Sequence, residues 1–453
     1  MNENIFRAYG VRGIFGKDLT VETARDIGKA FGTYLGEGKN LIVGRDSRPS
    51  GKALNSALIE GLTSVGCNVT DVGFLPSPVL YFAIYTNRKD GGVMITASHN
   101  PPEWNGFKLI LEKGRFCAQG TGMEEVREIF MSKKFNQPKE KGKVSSYGKI
   151  LEEYSEFVLN KIDLKKRLKV VLDTGNSVCG LVAPKLFEKI GCDVITVNRE
   201  LKEIPARPSE PTEEALKELI STVKRENADF GVAYDGDGDR AAFIDDKGRY
   251  ISSDTMIMVL AKSILEKERS AKIVFDICCS SAVDDFVRKN GGIPLIGRVG
   301  HVFTKQRMIE ENASFGGEYS GHIYFPEVFC FDDAIFASLK VAEIVSRSDV
   351  KLSKLVDSVP FLNHTPIKEV QCDDETKFRV IDKVKERFLS LGYKVVDIDG
   401  VKAFKGKDWV LIRASNTMPQ IKINSESETK RGAEEIFGIG MKILEEEIGK
   451  FKI

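Results

Sequence analysis

Leu41-Ile-Val-Gly-Arg-Asp46 is a short apolar run that turns polar at its end, and a segment typical of a helix follows from about Lys52 to Val65. A second β-rich run then reads Gly66-Cys-Asn-Val-Thr-Asp-Val72. An apolar run, a helix and a second run of this kind predict a β-α-β unit. Such a unit needs a right-handed crossover and a mostly parallel sheet.

The same pattern occurs twice more, so the sequence contains an internal repeat. The second copy begins at Lys169-Val-Val-Leu-Asp173, continues through a helix predicted to about Ile190 and ends at Gly191-Cys-Asp-Val-Ile-Thr-Val197. The third begins at Lys272-Ile-Val-Phe-Asp276, continues through a helix predicted to about Asn290 and ends at Gly291-Gly-Ile-Pro-Leu-Ile296. Three similar α/β domains are therefore predicted.

Each unit is followed by a strand-like run that ends in a loop of small and polar residues. These runs are Gly92-Val-Met-Ile-Thr-Ala-Ser-His-Asn-Pro101, Phe230-Gly-Val-Ala-Tyr-Asp-Gly-Asp-Gly-Asp-Arg240 and Phe315-Gly-Gly-Glu-Tyr-Ser-Gly-His322. In open α/β sheets, ligands bind beyond the carboxyl ends of the strands. The three loops are therefore predicted to hold equivalent, site-forming positions.

The domain boundaries follow from breaks in this pattern. Residues 133–143 are charged and contain Pro and Gly, which is typical of a surface linker before a helix over 147–162. After Pro360 the repeat ends, and the tail predicts a separate α+β domain. Its predicted strands lie near 394–398, 409–413 and 420–424, and its predicted helices near 377–391 and 430–449. The predicted domains are 1–143, 144–250, 251–360 and 361–453.

Composition excludes several classes of protein. The 453 residues exceed the ~250–300 that one hydrophobic core supports. The 67 Lys+Arg and 66 Asp+Glu leave a net charge of +1 and no basic block, which argues against nucleic acid or an anionic membrane as a partner. The start of the chain lacks an apolar signal region, and no run approaches the ~18 apolar residues that span a bilayer. A cytoplasmic protein is expected.

The eight cysteines contain no C-x-x-C pair. Neither a zinc site nor a disulfide framework is indicated, and we expect buried thiols.

Asp235-Gly-Asp-Gly-Asp-Arg240, the Asp loop, is the strongest chemical signal. Glycine permits unusual backbone angles, so three carboxylates at alternate positions can turn inward together. They repel one another unless a cation joins them, and a hard divalent ion such as Mg²⁺ or Ca²⁺ suits such oxygen ligands. An EF-hand is not indicated, because Arg240 stands where the loop requires glycine and Asp246 where it requires glutamate.

Thr96-Ala-Ser-His-Asn-Pro-Pro102 follows the β-like Val93-Met-Ile95. Ser98 is either a cap before a turn or a nucleophilic or phosphorylated hydroxyl with His99 beside it. A hydrolase triad is not indicated, because the sequence has no Gly-x-Ser-x-Gly elbow here.

Two further loops offer polar groups. Glu318-Tyr-Ser-Gly-His322 suits gripping sugar hydroxyls, and Arg413-Ala-Ser-Asn-Thr417 follows a strand-like run and suits an anion. Of four histidines, His99, His301 and His322 fall in Gly- or Ser-containing loops, which favours ligand contact or chemistry.

In composition and order, these four loops resemble those of the α-D-phosphohexomutases, specifically the phosphomannomutase/phosphoglucomutase branch, over nearly the whole chain. The resemblance implies three similar mixed-sheet α/β domains plus a C-terminal α+β domain around a central active-site cleft. It also implies an isomerase that interconverts hexose 1-phosphate and hexose 6-phosphate, with mannose or glucose or both as the sugar. Its partners would be small hexose phosphates, and we expect a monomer or homodimer.

The resemblance also implies a role for each loop. Ser98 would carry the phosphoryl group, and one Mg²⁺ would be held by Asp235, Asp237, Asp239 and the phosphorylated Ser98. Glu318, Ser320 and His322 would bind sugar hydroxyls, and Arg413, Ser415, Asn416 and Thr417 the idle phosphate. Arg12, Lys108, Arg240 and His301 would be further active-site groups. Gly10 and Met418 depart from the family pattern, but neither is expected to do chemistry.

The expected cycle runs through hexose 1,6-bisphosphate, which also serves as activator. Phosphorylated Ser98 would donate to O6 of hexose 1-phosphate, and after the intermediate turns over it would recover the O1 phosphoryl group. Lys108 and Arg12 are candidates for proton transfer or charge stabilisation, with burial or nearby cations expected to lower the lysine pKa. Closure of the last domain would exclude water.

Three alternatives stay open. Phosphoglucosamine mutase would share the scaffold, although Tyr319 and the Ser-Asn-Thr series favour mannose or glucose phosphates. A sugar-phosphate- or Ca²⁺-binding protein would show no turnover. An aspartyl-phosphate phosphatase would use the Asp loop as nucleophile.

Overall fold

The structure is a computed structural model that describes residues 3–415 and 418–451. The described residues form four β-sheets with helices packed against them. The first domain contains β1 (Phe6–Arg7), β2 (Gly10–Ile14), α1 (Val21–Leu35), β3 (Asn40–Arg45), α2 (Gly51–Ser64), β4 (Asn68–Phe74), α3 (Ser77–Thr86), β5 (Gly91–Ile95), β6 (Trp104–Leu111), α4 (Met123–Ser132) and β7 (Val144–Ser146).

The second and third domains repeat this plan with fewer strands. The second contains α5 (Ile150–Leu159), β8 (Lys169–Asp173), α6 (Ala183–Lys189), β9 (Asp193–Val197), α7 (Lys217–Glu226), β10 (Phe230–Tyr234), β11 (Ala241–Asp245) and β12 (Tyr250–Ile251). The third contains α8 (Ser253–Leu265), β13 (Lys272–Asp276), α9 (Ser281–Lys289), β14 (Ile293–Gly297), α10 (His301–Glu311), β15 (Phe315–Gly317), β16 (Ile323–Tyr324), α11 (Ala334–Arg347) and α12 (Leu352–Asp357).

The predicted repeat is confirmed by the strand pairing. The central strands of the first three sheets are β3, β8 and β13. Each pairs in parallel with the last strand of its own β-α-β unit, which is β4, β9 and β14 in the same order. On its other side it pairs in parallel with the loop-bearing strand, β5, β10 or β15. Each loop-bearing strand then pairs antiparallel with the next strand, β6, β11 or β16, so the sheets are mixed.

Burial explains why the loop-bearing strands β5 and β10 read as continuous apolar runs. All five residues of β5 and all five of β10 are buried, as expected for strands covered on both faces. The helices begin at polar caps: the side chains of Thr20 and Asp333 accept hydrogen bonds from backbone N–H groups three residues ahead.

Two predicted limits differ from the structure. The strand β7 pairs in parallel with β4, so the first sheet extends past residue 143. The second repeat helix is shorter than predicted, because α6 begins only at Ala183, after a separate 3₁₀ turn over Val178–Leu181. Pro184 lies in the first turn of α6, where the missing N–H costs no hydrogen bond.

The last domain is built differently, as predicted. It contains β17 (Asn363–His364), β18 (Lys368–Gln371), α13 (Lys377–Ser390), β19 (Lys394–Val396), β20 (Val401–Lys405), β21 (Asp408–Ala414), β22 (Gln420–Ser427) and α14 (Lys430–Gly449). Its sheet is antiparallel in the order β17-β22-β21-β20-β19, with β18 also paired to β22. The short strands β17, β18 and β20 were not predicted.

A hydrophobic cluster joins the first three domains, although the first also has a core of its own, and the core of the last domain is separate. One continuous cluster includes Leu80, Val232 and Phe336, one from each of the first three domains. The last domain packs α13 and α14 on its sheet in a separate cluster. A small cluster in which Ile277 and Cys278 meet Trp409 and Leu411 joins the third and fourth domains.

All eight cysteines are free, and seven are buried, in agreement with the prediction of buried thiols. Among residues 3–415 and 418–451, no helix is both long and apolar enough to cross a membrane.

Candidate active site

A cleft of about 600 Å³ opens where loops of the four domains meet. Ser98, Arg240, Tyr319 and Arg413, one from each domain, line it. The structure therefore brings the four predicted loops to one cavity. Arg12, His99, Lys108, His301 and the sugar-loop residues Glu318, Ser320 and His322 also line it.

Ser98 lies just beyond the carboxyl end of β5 and is only 2% exposed. Its Oγ donates a hydrogen bond to Asp235 Oδ2 at 2.7 Å and lies 3.2 Å from His99 Nδ1. Its φ of +50° falls in the left-handed region, which costs a residue with a side chain about 1 kcal/mol or more. The hydroxyl thus faces the Asp loop, and the surrounding structure holds its backbone in an unfavourable conformation.

The Asp loop follows β10, and its three carboxylate residues are buried. One carboxylate oxygen from each of Asp235, Asp237 and Asp239 lies within 4.8 Å of the others. Burial, together with the charges of Asp239 and Asp237, raises the pKa of Asp235. Oδ1 of Asp237 and Oδ1 of Asp239 are buried without a hydrogen-bond partner. Unpaired buried carboxylate oxygens are the donors that hard divalent cations prefer, so this set fits a metal ion.

Glycine is needed where the Asp loop touches the loop that bears Ser98, residues 96–102, which we call the serine loop. A Cβ added to Gly236 would lie 2.4 Å from the carbonyl oxygen of Ser98, closer than any real contact of that kind. Only glycine at position 236 allows the two loops to approach this closely.

Lys108 lies on β6 and enters the Asp loop. Its Nζ donates to Asp237 Oδ2 at 2.6 Å and to Asp239 Oδ2 at 2.5 Å. Burial disfavours the charged lysine, but these carboxylates outweigh it and raise the Lys108 pKa well above its ordinary value. The predicted lowering of the lysine pKa is therefore wrong. Ser77, which was not predicted as a site residue, also donates to Asp237 Oδ2, at 2.5 Å.

Arg12 contacts the serine loop, and His99 is part of it. Arg12 Nη1 donates to the carbonyl oxygen of Ala97 at 2.5 Å and to Asn100 Oδ1 at 2.8 Å. Burial and the neighbouring Arg240 and Arg12 charges hold the pKa of His99 well below its usual range. His99 is therefore a neutral imidazole beside the Ser98 hydroxyl.

His322 is oriented by groups from two domains. Its Nδ1 lies 3.1 Å from the carbonyl oxygen of Asp239 and 3.4 Å from Asp332 Oδ2, and Arg240 Nε lies 3.1 Å from its Nε2. Burial and Arg240 disfavour a second proton on the ring. The carboxylates of Asp239 and Asp332 outweigh them and raise the pKa of His322 to about 9.

His301 is the neutral member of this pair of histidines. Burial and the adjacent His322 charge lower its pKa well below the usual value, and its Nε2 is buried without a hydrogen-bond partner. Ligand atoms of His301, His322 and Asp332 also lie within 4.8 Å of one another. Asp332 was missed in the sequence, where only the pair Asp332-Asp333 after an apolar run could have indicated it.

The sugar loop follows β15 and presents a buried carboxylate. Glu318 is 2% exposed, and its Oε1 accepts a hydrogen bond from Tyr324 Oη at 2.6 Å. Ser320 Oγ donates to its Oε2 at 3.3 Å. Asp276, another residue that sequence reasoning missed, accepts from the backbone N–H of Tyr319 at 3.0 Å. The loop therefore has a fixed backbone and a fixed acceptor.

The phosphate loop begins at Arg413, at the end of β21. Arg413 is largely buried and lines the cleft beside Ser415, while Asn416 and Thr417 lie outside the described residues. Lys377 was not predicted, yet its Nζ donates to the carbonyl oxygens of Ser415 at 2.6 Å and Met418 at 3.1 Å. One lysine thus joins the two described ends of this loop.

Comparison with protein families gives four matches, in chain order. The family models described as phosphoglucomutase/phosphomannomutase alpha/beta/alpha domains I, II and III match residues 3–137, 152–248 and 252–361, and the model of the C-terminal domain matches residues 368–438. The chain belongs to the phosphoglucomutase/phosphomannomutase family.

Members of this family are similar to the chain along its whole length. A phosphoglucomutase/phosphomannomutase from Thermococcus kodakarensis is 39% identical, and the match covers 98% of each chain. A probable phosphoglucosamine mutase from Thermococcus gammatolerans is 36% identical, again over 98% of each. The crystal structure of a family protein from Burkholderia thailandensis superposes with a TM-score of 0.90 at 31% identity, covering 98% of each chain.

Family membership agrees with the architecture predicted from the sequence. The mixed-sheet domains, the distinct last domain and the central cleft are all present, so the predicted fold class is confirmed. The roles assigned to individual residues stay predictions, and the geometry above indicates which of them can act together.

Proposed function

We propose that this protein is a phosphohexomutase that interconverts hexose 1-phosphate and hexose 6-phosphate, with mannose or glucose or both as the sugar. The observation that carries this proposal is the contact between two loops from different domains. Ser98 Oγ lies 2.7 Å from Asp235 Oδ2, inside a cleft that Arg413 also lines. A hydroxyl beside a buried acidic triad suits a stored phosphoryl group, and an arginine in the same cavity suits a second phosphate.

Bond changes in the proposed cycle balance through Ser98. In the first half, the bond between Ser98 Oγ and phosphorus breaks, O6 of hexose 1-phosphate takes the phosphoryl group and loses its proton, and Ser98 Oγ gains a proton. In the second half, the phosphorus–O1 bond of hexose 1,6-bisphosphate breaks, Ser98 Oγ takes that phosphoryl group and loses its proton, O1 gains a proton, and hexose 6-phosphate leaves. Ser98 Oγ can release its proton along its contact with His99 Nδ1, which leaves Asp235 free to hold the metal ion.

Phosphate monoesters react very slowly without help, so positioning and charge must supply the catalysis. We place one Mg²⁺ at Asp235, Asp237, Asp239 and Ser98, where it would offset negative charge on the phosphoryl oxygens. Lys108 donates to two of these carboxylates, which places its amino group beside the transferred phosphoryl group and supports charge stabilisation as its role.

The remaining walls would bind the substrate. Glu318, Ser320 and His322 would take sugar hydroxyls, and Arg413 and Ser415, with Asn416 and Thr417, the idle phosphate. Arg12, Arg240 and His301 add charged and polar groups to the same cavity. Because the same clamp serves both orientations of the bisphosphate, the intermediate can turn over without a second phosphate site. We place the enzyme in the cytoplasm. We expect a monomer or a homodimer, and native mass measurement would test this oligomeric state.

Phosphoglucosamine mutase is the second candidate. The probable phosphoglucosamine mutase noted above is nearly as similar to this chain as the relative named for hexose phosphates. Tyr319 in the sugar loop favours the hexose phosphates.

One steady-state assay tests the proposal. The three substrates mannose 1-phosphate, glucose 1-phosphate and glucosamine 1-phosphate are compared with Mg²⁺ and a trace of hexose 1,6-bisphosphate. We expect turnover of a hexose phosphate and an acid-stable phosphoserine at Ser98. Preference for glucosamine 1-phosphate would favour the second candidate. Binding without turnover, or a hydroxylamine-sensitive acyl phosphate on the Asp loop, would refute both.

A further inference from the structure

The serine loop is held from behind by a buried network that does not reach the cleft. Ser98 has a φ of +50°, although it carries a side chain. A residue keeps such a conformation only when its surroundings fix it from more than one side. Both the carbonyl oxygen and the N–H of Ser98 have buried partners, and these partners converge on one carboxylate, that of Asp46.

The first connection runs through Arg48. Its guanidinium Nη2 donates to the carbonyl oxygens of Ser98 and Asn100, each at 2.7 Å. Its Nη1 donates to the carbonyl oxygens of Pro101 at 2.6 Å and Trp104 at 2.9 Å. Every N–H of one planar group is thereby directed at the loop or at Asp46, and a lysine could not replace this fork.

Asp46 anchors that guanidinium and also supplies the second connection. Its Oδ2 accepts from Arg48 Nε at 3.1 Å and from Thr96 Oγ1 at 2.6 Å. Thr96 Oγ1 in turn accepts from the backbone N–H of Ser98 at 2.8 Å. Asp46 is 1% exposed and Thr96 fully buried, so these bonds have no water to compete with them.

The position of Asp46 has a counterpart in the second domain. Asp46 follows β3, and Asp173 ends β8, the equivalent central strand. Asp173 Oδ2 accepts from Arg207 Nε at 2.8 Å, and Arg207 Nη2 donates to the carbonyl oxygen of Tyr234, directly before the Asp loop, at 2.8 Å. In both domains, a buried aspartate at the carboxyl end of the central strand pairs with an arginine that donates to the backbone at the neighbouring strand's loop.

From this network we infer that Asp46, through Thr96 and Arg48, positions Ser98 for phosphoryl transfer. The inference rests on the proposed mutase function. None of the three residues lines the cleft, so they act on the backbone of Ser98 and not on the substrate. They hold the Ser98 hydroxyl where it meets Asp235, and losing either connection frees the loop to relax from its left-handed conformation.

The sharpest test removes one hydroxyl from this network. Thr96→Val keeps the shape of a fully buried side chain but breaks both the bond to Asp46 and the bond to the Ser98 N–H. We expect kcat on glucose 1-phosphate to fall by about 10- to 100-fold, as a displacement of about 1 Å at a reacting group can cause. KM should change by no more than about twofold, because Glu318 and Arg413 are untouched. Thr96→Ser restores the hydroxyl and should recover most of kcat.

Thr63→Val is a matched control in the same domain. Thr63 is buried in α2, and its hydroxyl donates to the carbonyl oxygen of Ile59 at 2.9 Å, so the variant also loses a buried hydroxyl bond. We expect wild-type kcat and KM. Arg48→Lys provides a second probe, which keeps the charge but not the fork, and it should lower kcat as Thr96→Val does.

Single-turnover transfer separates this inference from the function it depends on. Enzyme phosphorylated at Ser98 is mixed with excess glucose 1-phosphate, and the loss of phosphoserine is followed by intact mass. We expect slow transfer in Thr96→Val and fast transfer in wild type, Thr96→Ser and Thr63→Val. Wild-type transfer rates in both Thr96→Val and Arg48→Lys would overturn the positioning role. Absence of transfer in the wild type would instead overturn the mutase function.

Discussion

The hydrogen bond between Tyr324 and Glu318 makes a quantitative prediction about the sugar loop. Tyr324→Phe removes the hydroxyl that donates to Glu318 Oε1 at 2.6 Å and, among residues 3–415 and 418–451, leaves the longer Ser320 hydrogen bond on the other carboxylate oxygen. Both side chains are buried, so no water replaces the lost donor. The carboxylate would then be less firmly aimed at a sugar hydroxyl.

A hydrogen bond to a charged group contributes about 1.5–3 kcal/mol, and about 1.4 kcal/mol corresponds to a tenfold change in rate. If that contribution is expressed fully in the bound transition state, kcat/KM for the hexose phosphate falls by about 10- to 100-fold. The assay is steady-state interconversion of glucose 1-phosphate and mannose 1-phosphate at saturating Mg²⁺, with thermal melting measured on the same samples.

Tyr234→Phe is the matched control. Tyr234 is also fully buried, and its hydroxyl shares a hydrogen bond of 2.7 Å with Ser338 Oγ, but it does not line the cleft. We expect this variant to lose some stability and to keep its kcat/KM. If both variants retained wild-type kcat/KM, Glu318 would not need a fixed orientation, and its assignment to sugar binding would be refuted.

Three further predictions concern the other loops. Ser98→Ala should abolish phosphoserine, seen by intact mass, and nearly all turnover, and a variant that kept most mutase activity would defeat the assignment. Arg413→Ala should raise KM by about tenfold or more, because a charge-assisted phosphate contact is lost, and an unchanged KM would argue against the clamp. Chelation should stop turnover until Mg²⁺ is restored. Asp237→Asn should raise the Mg²⁺ concentration needed for half-maximal rate by about tenfold or more, and an unchanged Mg²⁺ requirement in this variant would place the metal elsewhere.

The α/β repeat could be predicted because its strands are buried on both faces and end in loops of small residues. The tail was harder to predict. The strand β18 is largely exposed and shows no alternation, so it carries no apolar pattern. In β20, Lys402 is buried because its Nζ donates to the carbonyl oxygens of Ile277 and Cys279, and a lysine in the strand hides the apolar run.

Some residues of the candidate site could likewise be predicted from the sequence, and others could not. Residues in a short motif after a strand were found, because strand order places such loops at one edge. Asp46, Asp332 and Lys377 were missed, because each acts through a contact with a loop distant in sequence. The Lys108 pKa could not be predicted either, since its direction depends on whether burial or the two carboxylates prevail.

The small apolar junction between the third and fourth domains has a mechanical consequence. Residues of the first three domains pack into one hydrophobic cluster, so we expect these three walls of the cavity to move together. The wall that bears Arg413 meets the third domain through Trp409 and Leu411 against Ile277 and Cys278 and through hydrogen bonds such as those of Lys402, so we expect it to move against the other three. A rotation of that wall would weaken the contact with the idle phosphate and leave Ser98 and the acidic triad in place. The enzyme could then release one end of a sugar phosphate without disturbing the site where the other end reacts.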